Sequence, residues 1–153
     1  MIDAVDPFVG TDVTDLPAPH GIAASWWWPK PQVGNTHPGA TAPCAMVSAC
    51  AYSGAYPTGY GVHELSTEGI PAPLFDHLSA SGFTHFQQSG TGAIRKYYNY
   101  LRVTPMVDPL DDLGTQWTLR DEAAEPGYYT TTLANGIRCE LTVGPKSAVH
   151  RYT

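Results

Sequence analysis

The residues of this chain best suited to chemistry are three carboxylate pairs, a histidine in a turn cluster, a Ser-Gly-Thr-Gly loop and three consecutive tryptophans. Two carboxyl groups ~5–10 Å apart, one of them protonated, are the usual machinery for breaking a glycosidic bond. The candidate pairs are Asp111/Asp112, Asp121/Glu122 and Glu64/Glu68. The first two lie in turn-like sequence, where aspartate bonds to its own backbone, and nothing marks any pair as buried. No Ser/His/Asp or Cys/His arrangement has a recognisable frame. No catalytic residue is therefore expected within this chain.

The other features suit binding. In an extended segment neighbouring side chains point to opposite sides, so Trp26, Trp27 and Trp28 cannot all be buried on one face. Indole faces stack on the apolar faces of sugars and carry a spare N–H donor. The alternative is a loop that pins itself, or a neighbouring domain, by aromatic weight. Asn35-Thr36-His37-Pro38-Gly39 is a turn cluster of the kind that carries binding residues. His37 is suited to bonding a ligand hydroxyl or a metal, but no nearby His or Cys keeps ligand spacing. A solvent-facing or backbone-bonded histidine is the other reading. Ser89-Gly90-Thr91-Gly92 lacks the Gly-Lys-Ser/Thr ending of a phosphate loop. It serves either hydroxyl recognition or a simple turn.

The elements that must hold these residues are short and interrupted. With 15 glycines, 14 prolines and only 14% charged residues, the 153-residue chain is built for turns and a single core, not for long helices. Residues 1–43 form a long loop region rich in proline and tryptophan. Cys44–Tyr52 reads as a buried strand or a short helix. Residues 53–80 carry no clear assignment. Tyr97–Thr104 alternates like a strand and ends at Pro105. Around Asn135-Gly136, YYTTTLA (128–134) and IRCELTV (137–143) form a hairpin. A two-residue turn there pairs positions summing to 271 and sends Tyr128, Thr130, Thr132 and Ala134 to the core with Val143, Leu141, Cys139 and Ile137. Residues 148–153 look like a further strand. The fold class expected is all-β, an antiparallel β-sandwich with long Pro/Gly/Trp-rich loops and one domain over 1–153.

Eight basic residues against 14 acidic ones give a net charge of −6 with no basic stripe, which argues against nucleic acid as a partner. No stretch approaches a membrane span. The start lacks the basic and apolar regions of a signal peptide, so the protein is expected to be cytoplasmic if Met1 is native. If a leader has been removed, it is secreted, periplasmic or on the cell surface. Cys44, Cys50 and Cys139 are expected as three buried, unpaired thiols, and without a Cys-x-x-Cys pair no structural zinc site is expected.

Four segments, VDPFVGT (5–11), GNTHPGATAPCAMV (34–47), SGFTHFQQSGTG (81–92) and EPGYYTTTLANGIRCELTVGPKSAVHRYT (125–153), resemble in order and spacing the amino-terminal domain of family 92 glycoside hydrolases. Each is weak alone, and the ordered set is specific. The resemblance implies an exo-acting enzyme that removes terminal α-linked mannose with inversion and uses calcium. It also implies a larger helical (α/α) barrel beyond residue 153 as partner, carrying the acid, the base and the calcium ligands. The sandwich would then wall the sugar pocket, with Gly10, Thr11, Trp27, Trp28, Asn35, His37, His85, Ser89 and Thr91 as substrate-binding candidates and no metal ligand here. His37 stands where the family usually has Phe, Gln87 where it has a second His, and Lys96-Tyr97-Tyr98 where an Asp-Tyr-Gly pattern is common. These departures bear on linkage preference and mannose specificity. Two other readings stand beside it: a stand-alone carbohydrate-binding module using Trp26–Trp28 and the His37 and His85 loops, and a structural domain whose tryptophans plug a domain interface.

Overall fold

The computed structural model describes residues 5–14, 20–22, 32–34, 36–65, 71–87, 101–108 and 113–153. Among them there is no α-helix, and every strand ladder is antiparallel. Strands β7 (Ser79–Ala80), β9 (Trp117–Glu125), β10 (Tyr128–Leu133), β11 (Arg138–Val143) and β12 (Ala148–Tyr152) form a five-stranded sheet in the order β12-β11-β10-β9-β7. Strands β3 (Ala40–Thr41), β4 (Ser48–Tyr52) and β8 (Gly82–Thr84) form a second sheet, with β4 in the centre. Two small ladders, β1 (Val13–Thr14) with β2 (Gln32–Val33) and β5 (His63–Leu65) with β6 (Pro71–Pro73), complete the described part. The chain is all-β, as its turn-rich composition and alternating segments imply.

The core lies between the two larger sheets. Tyr129, Leu133, Cys139 and Leu141 come from the five-stranded sheet, and Ala40, Ala49, Cys50, Ala51 and Phe83 from the other. The small side chains of β3 and β4 let the sheets approach closely, while fully buried Phe83, Leu133 and Leu141 supply about 1.5–3 kcal/mol each. Gly39 is part of this fit. A Cβ there would run into the Ala49 carbonyl and the Cys50 side chain.

The carboxyl-terminal hairpin forms, but in another register. Its ladder pairs Tyr129 with Leu141 and Thr131 with Cys139, and the Leu133 N–H donates to the Ile137 carbonyl at 2.9 Å. The loop is therefore three residues, Ala134-Asn135-Gly136, with Gly136 in the left-handed region at φ 92° and its N–H donating to the Leu133 carbonyl. That one-residue shift turns Tyr129, Thr131 and Leu133 inward and Tyr128, Thr130 and Thr132 outward, the reverse of the expected faces for this strand. Cys139 and Leu141 face the core as read. The alternative is stable because the inward face of β10 then carries Tyr129 and Leu133, and its two polar groups are satisfied: the Tyr129 hydroxyl donates to Glu122 and the Thr131 hydroxyl to the Arg120 carbonyl.

Other expectations change too. The 44–52 segment becomes a strand only from Ser48. Cys44 sits in a turn at φ 57°, exposed, and only Cys50 and Cys139 are buried thiols. Of the proposed strand 97–104, residues 97–100 lie outside the described set. Val103 makes a lone bridge to Phe83. The 148–153 segment is β12, as its alternation suggests. The nine-residue β9 has no forecast in the sequence, and the Asp121/Glu122 pair lies within it rather than on a turn.

Candidate functional site

The segment Asp6–Thr11 is a turn. The Asp6 carboxylate accepts the Phe8 N–H at 2.9 Å, the Val9 N–H donates to the Asp6 carbonyl, and the Thr11 hydroxyl donates to the Phe8 carbonyl at 2.8 Å. Gly10 takes φ 77°, which frees its carbonyl for the Thr36 N–H; the Thr36 hydroxyl donates to Val9 O at 2.7 Å. Gly34 donates to the Asp12 carbonyl at 2.9 Å, and a Cβ on Gly34 would overlap the Gly10 carbonyl. Two glycines thus permit the 6–12 turn and the 34–39 loop to lie backbone on backbone.

The 34–39 loop is tied in turn to the 85–87 segment. The Gly39 N–H donates to His37 Nδ1 at 3.2 Å, so Nε2 carries the proton and donates to the Gln87 carbonyl at 2.9 Å, with the Ser48 hydroxyl 3.3 Å away. Burial holds the His37 imidazole down to about 4, so it is neutral near pH 7. Its bonds are made within the chain, which is the backbone-bonded of the two roles its sequence context allows. The Gln87 side chain is buried as well. It donates to the Ala51 carbonyl at 3.2 Å and accepts the Thr84 hydroxyl at 2.7 Å. His37 and Gln87 are therefore in direct contact.

His85 lies at the rim. Its carbonyl accepts the Ser48 N–H, and its ring stacks on His150 of β12 at 4.3 Å with planes 21° apart. His150 Nδ1 is 2.8 Å from the Tyr152 hydroxyl, and burial with the neighbouring His85 lowers its imidazole to about 4. His85 Nδ1 and His150 Nε2 are buried without partners. His150 and Tyr152 are neighbours that sequence spacing did not supply, since β8 and β12 are more than 60 residues apart. Gly10, Thr11, His37 and His85 are thus brought onto one continuous loop cluster. Trp27, Trp28, Asn35, Ser89 and Thr91 lie outside the described residues.

Beside Thr11 is a cleft of about 150 Å³ lined by Thr11, Asp12, Tyr60, Gly61, Val62 and Leu78. Beneath its Tyr60 wall sits Glu122. A bulge in β9 places Asp121 and Glu122 together opposite Thr131, with Asp121 at φ 49°. Trp117 and Leu119 face the core before the bulge and Ala124 after it, so the extra residue is what turns Glu122 inward. Its carboxyl accepts the Tyr60 hydroxyl at 3.0 Å and the Tyr129 hydroxyl. Burial raises the Glu122 carboxyl above its usual range, and the two phenol donors only partly oppose this. Of the other candidate acids, Asp111, Asp112 and Glu68 lie outside the described residues, and Asp121 is exposed. Among the described residues no three His, Cys, Asp or Glu side chains converge as a metal site would require.

The fold is an all-β scaffold whose 6–12, 36–39 and 85–87 segments are tied together by hydrogen bonds, and its sequence defines the class of domain. Residues 4–153 match the Glycosyl hydrolase family 92 N-terminal domain. The chain belongs to glycosyl hydrolase family 92, as its N-terminal domain. An "Uncharacterized secreted glycosidase" of Arthroderma benhamiae is 31% identical over 130 residues, covering 78% of this chain and 15% of that protein. The structure of a family GH92 alpha-mannosidase from Bacteroides thetaiotaomicron superposes with a TM-score of 0.60 at 24% identity, over 99% of this chain and 18% of that one. Its complex with mannoimidazole gives 0.58 at 23% identity, over the same shares. The chain therefore spans less than a fifth of the length of these relatives.

Proposed function

We propose that this chain is the N-terminal β-domain of an inverting exo-α-mannosidase and that its loops wall the pocket for a terminal α-mannose. The observation that carries the reading is the tying together of the 6–12, 34–39 and 85–87 segments by backbone and His37 hydrogen bonds, in a chain that belongs to family 92. Thr11 offers backbone and hydroxyl groups at the cleft, and Gly10 shapes the turn that brings it there. His85 offers an imidazole at the rim, and His37 fixes the loop between them. Trp27, Trp28, Asn35, Ser89 and Thr91 are proposed to complete the contacts to the glycan. A sugar held this way is fixed by several weak polar contacts and by stacking, which orient its ring without reacting with it.

In this proposal the acid and base carboxylates come from the carboxyl-terminal domain of the same enzyme. Calcium would bind there as well and supply a Lewis-acidic centre to hold sugar hydroxyls; the described residues of this chain do not fit such a site. What this chain contributes is orientation and exclusion of water around the terminal sugar. The test is an assay of the intact enzyme on α-mannosides, with and without a calcium chelator. Loss of activity with chelator and recovery on adding calcium are expected. Chelator-indifferent activity, or none on any α-mannoside, would sink the reading.

A further inference from the structure

We propose that Glu122 is a positioning residue for the sugar cleft: through its hydrogen bond to Tyr60 it sets the cleft wall facing Thr11 and Asp12, and its protonation state is transmitted to that wall. The proposal rests on the glycan reading for its functional meaning, but not for its physics.

Three observations carry it. The first is the bulge. A left-handed aspartate in the middle of a nine-residue strand is a strained arrangement, and its effect is to send one carboxyl into the core. Without it, Glu122 would follow the outward phase of Arg120, and Tyr60 and Tyr129 would lose their acceptor. The second is the connection. Tyr60 is itself buried, bonds both carboxyl oxygens at 3.0 Å, and its other side lines the cleft with Thr11 and Gly61. The third is the electrostatic setting. The ionisable groups facing this carboxyl are Tyr60 from the loop after β4, Tyr129 from β10 and Cys50 from β4; Asp12 acts on Tyr60 from the cleft side. Asp12 in turn has the His63 imidazole of β5 at 3.7 Å; among the described residues no lysine or arginine is paired with Glu122, and burial raises all three neighbouring groups. Among the described residues the carboxylate is held by two phenol donors, and on protonation it becomes a weaker acceptor with an O–H of its own to place, so the bonds to the two phenols must rearrange. Tyr60 is one of the two, so its ring responds to the proton on Glu122.

The direction follows. Ionised Glu122 accepts both hydroxyls and fixes the Tyr60 ring. The protonated acid accepts fewer, and the wall loosens. A sugar resting on that wall is held less firmly on the acid side of the Glu122 titration, by about two- to tenfold in affinity for one net hydrogen bond.

The experiment is a pH titration of this chain by NMR, following the Glu122 carboxyl carbon, the Tyr60 ring and the Thr11 and Gly61 amides. All are expected to share one midpoint, above the usual carboxylate range. In Glu122→Gln, which keeps an acceptor but does not titrate, the Tyr60, Thr11 and Gly61 transitions are expected to vanish. In Tyr60→Phe the Glu122 transition persists while those at Thr11 and Gly61 disappear, which keeps the test available if Glu122→Gln fails to fold. A Glu122 transition without movement at Tyr60 and the cleft amides overturns the proposal, as does a cleft transition at the Glu122 midpoint that survives in Glu122→Gln; transitions at other midpoints report Asp12 and His63. Adding methyl α-mannopyranoside separates the two claims. The same amides are expected to shift with sugar. If they do not shift at any pH while the proton coupling is present, the glycan reading of this cleft fails and the positioning of Tyr60 stands.

Discussion

His37 shows how one residue can be chemically attractive in sequence and yet spend its hydrogen bonds inside the chain. A histidine among Asn, Thr, Pro and Gly is suited to a ligand, and its bonds to Gln87 and Gly39 instead join two loops more than 45 residues apart. Its imidazole, lowered to about 4 by burial, makes folding sensitive to acid. The folded form resists a proton that the unfolded chain takes up near pH 6.5, so stability falls as pH drops from about 6.5 towards 4 and is not lost further below that. The size of this effect is about 3 kcal/mol. His37→Phe is expected to remove that part of the slope. At neutral pH it should cost about 1–3 kcal/mol, because the buried Gln87 carbonyl and Gly39 N–H lose their partner. Urea denaturation at a series of pH values checks both, and an unchanged slope counts against the assignment. His85 was legible as a candidate from its motif. Its stack on His150 was not, because nothing local ties β8 to β12.

At the scale of elements, the carboxyl-terminal hairpin was legible in existence but not in face. Asn135-Gly136 marks a turn, and both a two- and a three-residue loop satisfy it. What selects between them is the surface β10 meets, where Tyr129 and Leu133 pack against Phe83 and the alanines of β3 and β4. The β9 bulge was hidden for the same reason. An Asp-Glu pair looks like exposed turn sequence, and only pairing with β10 shows that the strand takes an extra residue there. The approach of the 6–12 and 34–39 loops depends on a position with no room for a side chain. Gly34→Ala is expected to destabilise by more than 2 kcal/mol, since its Cβ would collide with backbone at Gly10 and Asp12. Amide hydrogen exchange should show the loss first at Gly34 and Thr36, which donate across that junction. Uniform loss over the whole chain would mean that the junction is not where the strain falls.

For the whole molecule, the buried titratable groups act in opposite directions. His37 and His150, both lowered, withdraw stability as the solution becomes acidic. Glu122, raised, contributes stability that is present at low pH and is lost as pH rises through its folded value. Glu122→Gln is therefore expected to be more stable than the parent above that value and to lose stability more steeply on acidification. Thermal or urea unfolding across pH checks it, and parallel curves for the two proteins would refute it. By itself the sequence determined the all-β class, the existence of the carboxyl-terminal strands and, through four ordered motifs, the glycoside hydrolase family, because strand periodicity, turn chemistry and motif order are local properties of the chain. Only the tertiary structure decided which face of β10 is buried, which histidines meet, and that Glu122 stands under the cleft. Those depend on register, bulges and the packing of one sheet on another, and a shift of one residue in a strand reverses them all.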